Sequence, residues 1–113
     1  RFTQVTMIER RWHGKVPQSL SKAFLQYLIE TGVSETIRLP GNLGARILRD
    51  ERDDWGHVVL ITFWHSLEDI TTFAGKDMLK AVLYPEDEKY GLIPDRHVEH
   101  YAILEDFPPQ NRT

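Results

Sequence analysis

The order of apolar and polar residues along the first third of the chain predicts a strand followed by a helix. Residues 5–13 (VTMIERRWH) are rich in side chains that favour extended backbone, and a glycine and a proline follow them. Between residues 20 and 31 the inward-facing side chains recur three and four positions apart, which is one face of a helix. Gly32 stands where a glycine that ends a helix is expected.

The middle of the chain predicts two strands joined by a polar loop. Residues 39–44 (LPGNLG) are rich in turn formers and predict a connection, and residues 45–49 predict the second strand. Residues 50–56 (DERDDWG) predict a hairpin loop. Residues 57–64 (HVVLITFW) predict the third strand.

A second helix and a last strand are predicted from the remaining third. Residues 66–69 (SLED) resemble a capping box, which marks the first turn of a helix. Gly75 is expected to interrupt that helix, and Asp77 to start a second helical piece. Residues 85–94 predict an irregular loop, and residues 97–104 (HVEHYAIL) predict the last strand. The order βαββαβ predicts an α+β, ferredoxin-like fold: an antiparallel four-stranded sheet with two helices on one face.

The third predicted strand carries apolar side chains on both faces. An antiparallel sheet with one wet face would alternate apolar and polar residues, and two helices cover only one face. We therefore expect the sheet of a second copy to cover the other face, since an uncovered face would be a large apolar patch. The alternative is that long loops of the same chain fold over it. The residues concerned are Val58, Val59, Leu60, Ile61 and Phe63.

Composition limits the class of protein. At 113 residues we predict a single domain, 1–113, with its core at about 5–105 and a flexible tail at 108–113. The net charge of −3 and the scattered cations argue against nucleic-acid binding. No apolar run approaches the length of a membrane span. The chain has no cysteine, which suits a cytoplasmic protein.

Several segments together resemble the antibiotic biosynthesis monooxygenase family. They are residues 61–70 (ITFWHSLEDI) with 73–75 (FAG), 81–87 (AVLYPED), 98–101 (VEHY), and 40–44 (PGNLG) ahead of the second strand. The likeness runs from about residue 7 to residue 104. It rests on small motifs distributed over the fold and includes no catalytic signature.

The resemblance implies a dimeric α+β barrel, in which two ferredoxin-like subunits pack sheet to sheet as a homodimer. Known members include cofactor-independent monooxygenases that act on quinols and polycyclic aromatics, and haem-degrading enzymes. The haem-degrading members place a Trp and a His on the second helix, where this chain has Phe73 and Leu83. Haem degradation of that kind is not expected, and no cofactor is implied. Haem binding through another histidine stays open.

Two histidines are candidate catalytic bases, because a cofactor-free oxygenation needs the substrate's phenolic proton removed. Trp64 and His65 end the third strand, where Trp64 could stack on an aromatic substrate and His65 could take the proton. Equally, Trp64 could be core and His65 a solvated strand end. His100 shares a strand face with apolar neighbours, so it is either a hydrogen-bonded core residue or a pocket base.

The candidate substrate-binding residues are Arg10 and a set of aromatic side chains. Arg10 could hold a carboxylate or a developing oxyanion, or it could form a salt bridge with Glu99 at the dimer interface. His97 and His100 are split across their strand, and no compact metal-ligand set is present. The primary hypothesis is a cofactor-independent monooxygenase for a small aromatic or quinol-type substrate, and the alternative is a non-catalytic ligand-binding or structural barrel protein. The aromatic candidates are Trp12, Trp64, Phe73, Tyr84 and Tyr101.

Overall fold

The computed structural model describes residues 7–110, and an antiparallel sheet organises them. Strand β1 spans Ile8–Pro17, β2 spans Asn42–Arg52 and β3 spans Trp55–Trp64. The predicted first strand begins at Val5, and that start lies outside the described residues, as does the end of the predicted tail at 111–113. Within the described residues, no helix is long and apolar enough to cross a membrane.

The β2–β3 hairpin is tighter than predicted. Asp53 and Asp54 both have positive φ, of 54° and 67°, as the two central residues of a tight hairpin turn do. Aspartate tolerates this backbone region better than most residues. Both strands therefore extend into the predicted loop 50–56, which shrinks to a two-residue turn.

The last strand is divided into two pieces at the edge of the sheet. The strand order is β2-β3-β1, and β1 then pairs with both β4 (Ile93–Pro94) and β5 (Glu99–Ala102), each antiparallel. Gly14 pairs with Pro94 and Arg11 with Glu99, so residues 95–98 face only two residues of β1. The surplus residues bulge out of the edge of the sheet. The single strand predicted over residues 97–104 is therefore replaced by two short strands, β4 and β5.

The first helix does not end at Gly32, contrary to the prediction. Helix α1 (Ser21–Leu28) widens into a π-helical turn at Ile29–Val33, and a short α2 (Ser34–Thr36) follows. Gly32 is buried and packs against the sheet, where a Cβ would lie 3.8 Å from Leu60 Cδ2. The glycine therefore lies inside the helical segment without ending it, and the space beside it would accept a methyl group.

Helix α3 (Leu67–Ala74) begins as its capping box predicts. Ser66 Oγ accepts a hydrogen bond from the Asp69 backbone N–H at 3.2 Å, and Gly75 follows the last helical residue. The predicted second helical piece after Asp77 is absent. Residues 75–84 run irregularly, and Lys80 forms an isolated bridge with His97. Arg96 and Val98, in the bulge between β4 and β5, supply backbone hydrogen-bond partners to Ala81 and Leu79 in place of those that a helix would have supplied. A 3-10 helix at Pro85–Tyr90 then replaces part of the predicted loop.

The two faces of the sheet differ in their cover. The helix face carries the buried Val16, Val58 and Trp64, and the core forms between it and Phe24 and neighbouring helix residues. The opposite face, called the open face below, carries the other side chains of each strand. There Leu48 is 43% exposed and Tyr101 is 50% exposed. The apolar second face that the sequence predicts is thus present and partly exposed in the single chain.

Two glycine substitutions should change stability in opposite directions. In Gly56→Ala the new Cβ would lie 2.7 Å from Ser21 Oγ and 2.9 Å from Ser21 Cβ, so we expect a loss of about 1–3 kcal/mol from overpacking. In Gly32→Ala the nearest atom is 3.4 Å away, so we expect a gain of about 0.5–1 kcal/mol from reduced chain entropy in the unfolded state. Urea denaturation measures both, and equal effects would contradict the packing described here.

Candidate functional site

A cavity lies between the helix face of the sheet, the helical segment 21–36 and the chain segment 82–92. Its volume is about 50 Å³, room for only a few water molecules. An apolar protein cavity that admits benzene measures ~150 Å³, so a ring-sized ligand enters only if a wall moves. Segment 75–84 is the irregular wall, held by few backbone hydrogen bonds. The apolar lining includes Trp12, Phe24, Leu28, Leu60, Phe73 and Leu83.

Arg10 supplies the positive charge of this cavity. Its side chain is on the helix face and only 4% exposed, and burial lowers the pKa of its guanidinium to about 10. The guanidinium donates to the carbonyl oxygens of Met78 at 2.7 Å and Lys80 at 3.1 Å, and lies 3.0 Å from His100 Nε2. All these partners are neutral acceptors when His100 is unprotonated. A buried cation without a carboxylate partner is uncommon and marks a candidate anion site.

Glu99, the alternative partner predicted for Arg10 at a dimer interface, does not pair with Arg10 within the chain. Glu99 pairs in register with Arg11 and lies on the open face, whereas Arg10 pairs with His100 on the helix face. Successive residues of a strand point to opposite faces, so the two side chains diverge. The Arg10 side chain therefore lines the cavity and does not contact Glu99.

His100 is half-buried beside Arg10. Burial and, secondly, the adjacent Arg10 cation lower the pKa of its imidazole. The neutral form prevails at neutral pH, and its Nε2 lone pair accepts the Arg10 N–H. His100 thus contacts a residue of the cavity wall without lining the cavity itself.

Three of the five predicted aromatic residues line the cavity. Trp12 donates its indole N–H to the Asp95 carbonyl at 3.0 Å, which fixes the ring against the last strand. Phe73 lies beside the Arg10 guanidinium, whose Cζ is 5.9 Å from the centroid of the Phe73 ring. Tyr84 donates its hydroxyl to Glu35 Oε1 at 3.0 Å, and burial together with that carboxylate raises the pKa of the phenol. The hydroxyl of Tyr84 is therefore protonated and holds the wall segment to helix α2.

The other predicted residues lie away from the cavity. Trp64 is fully buried, stacks on Phe73 and donates its indole N–H to Thr62 Oγ1 at 2.9 Å. Tyr101 lies on the open face opposite Glu9. The side chain of His65 is 68% exposed, and its Nδ1 is 3.9 Å from Asp69 Oδ2. The structure brings Arg10, Trp12, Phe73 and Tyr84 together, with His100 behind Arg10.

Sequence reasoning missed the helical wall of the cavity. Thr31, Gly32 and Thr36 line it from the π-helical turn and helix α2. The apolar spacing places Thr31 on the inward face, but it does not place Gly32 or Thr36 there, and it cannot show that a π turn leaves space beside them. Asp87 lines the cavity from the 3-10 helix, where its carboxylate accepts the Tyr84 backbone N–H at 2.8 Å.

Sequence reasoning also missed a polar cluster at the edge of the open face. His13 Nδ1 lies 3.3 Å from Asp95 Oδ2, and His13 Nε2 lies 3.2 Å from His57 Nδ1. The bulge in the last strand brings Asp95 to this position. Among residues 7–110, no group of three or more potential ligands is arranged to hold a metal ion.

Comparisons with known proteins agree with this fold. The profile of the family described as antibiotic biosynthesis monooxygenase matches residues 15–83. The chain belongs to this family. A solved structure from Nitrosomonas europaea, provisionally named an antibiotic biosynthesis monooxygenase, is similar with a TM-score of 0.61 and 17% identity. The alignment covers 92% of this chain and 96% of that one. No curated protein sequence matches.

The antibiotic biosynthesis monooxygenase fold is thereby established for this chain, with its α+β architecture and antiparallel sheet. The family match runs from residue 15, near the end of β1, to residue 83, so it includes the helical wall of the cavity and β3 but not Arg10, Trp12 or His100. At 17% identity the solved relative carries information on the fold alone.

Burial of His100, and secondly its contact with Arg10, should make folding stability depend on pH. The unfolded state takes up a proton on His100 near pH 6.5, whereas the folded state resists it because its pKa is lowered. Stability is therefore lost as the pH falls below about 6.5, until the folded-state pKa is passed. His100→Asn should flatten this part of the stability curve, measured by urea denaturation between pH 7 and pH 5.

His65→Asn is the matched control, since His65 is exposed at the end of β3. The pKa of His57 is also lowered, so His57 adds to the loss of stability at low pH, and it remains in both variants. A stability curve for His100→Asn as steep as that of the parent protein would show that His100 does not cause this pH dependence.

Proposed function

We propose that the chain is a cofactor-independent monooxygenase that acts on a small aromatic or quinol-type substrate in the cavity beneath the helix face. The observation that carries the proposal is the buried Arg10 cation, without a carboxylate partner among the described residues, at an apolar cavity of a family member. An oxygenation without metal or flavin requires the substrate to become an electron-rich anion. A desolvated cation stabilises such an anion far better than water-exposed charge does.

The proposed reaction begins with loss of the substrate's phenolic proton to His100. The phenolate, held by Arg10, passes one electron to dioxygen, which forms superoxide and a substrate radical. These combine into a carbon–oxygen bond, and the peroxide takes up a proton and then releases water to leave a carbonyl. The substrate loses two hydrogens and gains one oxygen, and the second oxygen atom leaves as water.

The contact geometry supports these roles. His100 is neutral at neutral pH, the form in which a base accepts a proton. The Nε2 lone pair accepts the Arg10 N–H at 3.0 Å, so proton transfer requires the substrate hydroxyl to replace that N–H at Nε2 while its oxygen stays beside Arg10. Phe73 and Trp12 supply flat apolar surfaces for an aromatic ring. Opening of segment 75–84 would admit the ring, and reclosure would exclude water.

Removal of His100 should impair oxygenation much more than removal of His65. With a hydroquinone or anthrone-type substrate and no added metal or flavin, we expect the purified protein to consume dioxygen. His100→Ala should lower kcat/KM about 100-fold or more, since general-base catalysis contributes roughly that factor. His65→Ala, which alters an exposed side chain outside the cavity, should stay within about twofold. An oxygen electrode makes the measurement, and equal rates in both variants would refute the acid–base assignment.

A homodimer formed through the open face is part of this proposal. In support, the open face exposes Leu48 and Tyr101, and it also carries Val59 and Phe63. The shortest dimension of the chain is 21 Å, the thickness of a sheet and one helix layer, so the second face is available to a partner. Burial of apolar surface of this kind favours association.

The dimer should dissociate when a charge is placed on the open face. We expect twice the 13.2 kDa chain mass by light scattering, and a shift towards the monomer in Leu48→Lys. Leu79→Lys is the matched control, because Leu79 is 58% exposed but lies in segment 75–84 and outside the sheet. A parent protein that is monomeric at micromolar concentration would contradict the proposal.

A non-catalytic ligand-binding protein is the second candidate. Within residues 7–110 no histidine lines the cavity directly, and this observation favours binding without turnover. Such a protein would be stabilised against heat by a small aromatic ligand while consuming no dioxygen.

A further inference from the structure

Thr36 carries a buried hydroxyl that its surroundings do not satisfy. The residue has no exposed surface, and its Oγ1 has no hydrogen-bond partner in the part of the chain that the structure describes. Thr31, one turn earlier, shows the ordinary solution, since its hydroxyl donates to the Tyr27 carbonyl at 2.8 Å. A buried polar group without a partner is rare in folded proteins and needs an explanation.

Thr36 lines the same cavity as Arg10. Arg10 enters from the sheet and Thr36 from helix α2, so two polar groups on different elements face one apolar space. The single acid in the described lining, Asp87, is already engaged with the Tyr84 backbone N–H. Pockets of this composition bind ligands with an apolar body, and the few polar groups fix the ligand's orientation.

We propose that Thr36 is a specificity-determining residue, which donates its hydroxyl to a second, neutral oxygen of an aromatic ligand whose anionic oxygen binds Arg10. The inference rests on the proposed site and names its ligand class: a small aromatic anion with two oxygen-bearing substituents. A ligand with one such substituent would leave the Thr36 hydroxyl buried and unpaired.

The test compares ligands that differ by one oxygen. Titration calorimetry would measure the dissociation constants of benzoate and the three hydroxybenzoate isomers for the full chain and for the Thr36→Val variant. Valine has nearly the same shape as threonine but lacks the hydroxyl. We expect one isomer to bind the parent protein about 3- to 10-fold more tightly than benzoate, the range of one hydrogen bond. Thr36→Val should lose this preference and bind benzoate within about twofold of the parent.

Two controls isolate the proposed contacts. Thr31→Val removes a hydroxyl from the same wall that is already bonded, so the preference for the hydroxybenzoate isomer should persist. Benzamide matches benzoate in shape but has no charge, so it should bind at least about 10-fold more weakly because Arg10 has no anion to pair with. Thermal unfolding of both variants verifies that they fold.

Three outcomes would overturn the inference: a preference that persists in Thr36→Val, benzamide binding equal to benzoate binding, or no binding of any probe by the parent protein. Dioxygen consumption with the hydroquinone or anthrone-type substrate is measured on the same protein preparations. A Thr36-dependent preference without dioxygen consumption would refute the monooxygenase proposal and support the inference. Consumption together with an unchanged preference in Thr36→Val would refute only the inference.

Discussion

The burial of the Arg10 guanidinium is the constraint on which the rest of the site depends. A cation removed from water needs hydrogen-bond acceptors, and here the carbonyls of Met78 and Lys80 and the ring of His100 provide them. These acceptors belong to the irregular segment 75–84 and to the last strand. One side chain of β1 therefore holds both segments over the helix face, and the cavity lies under them.

The same arrangement connects the fold with the proposed chemistry. The partners of Arg10 are neutral, so its charge is solvated by dipoles and left unmatched by any acid in the described chain. A ligand anion would complete the charge balance that the protein leaves open. The helical wall adds Thr36, whose hydroxyl has no hydrogen-bond partner among the described residues. A buried charge without an acid partner and a buried hydroxyl without a partner both lower the stability of the fold, which is typical of a site shaped for function.

The two faces of the sheet have different surroundings. The helix face forms the core and the cavity, with Trp64 as a fully buried side chain that packs and does not line the site. The open face keeps apolar side chains partly exposed beside the His13–His57–Asp95 cluster. Any partner on that face would meet both apolar surface and titratable groups, whereas the cavity lies on the far side of the sheet.

Local patterns in the sequence were sufficient for the order of elements, the cap at Ser66, the two-sided strand β3 and the family resemblance, because each depends on residues close together in the chain. The pairing of Arg10 with His100 joins residues that are 90 positions apart in the chain. The other partners of Arg10 are backbone carbonyls, which no pattern of side chains reveals. The π turn at Ile29–Val33 and the unpaired hydroxyl of Thr36 likewise exist only once helix and sheet pack together. The sequence by itself determined the order of the main strands and helices and the two faces of the strands. Tertiary packing decided where several of these elements end and which polar groups have no partner among the described residues, and therefore where a ligand could bind.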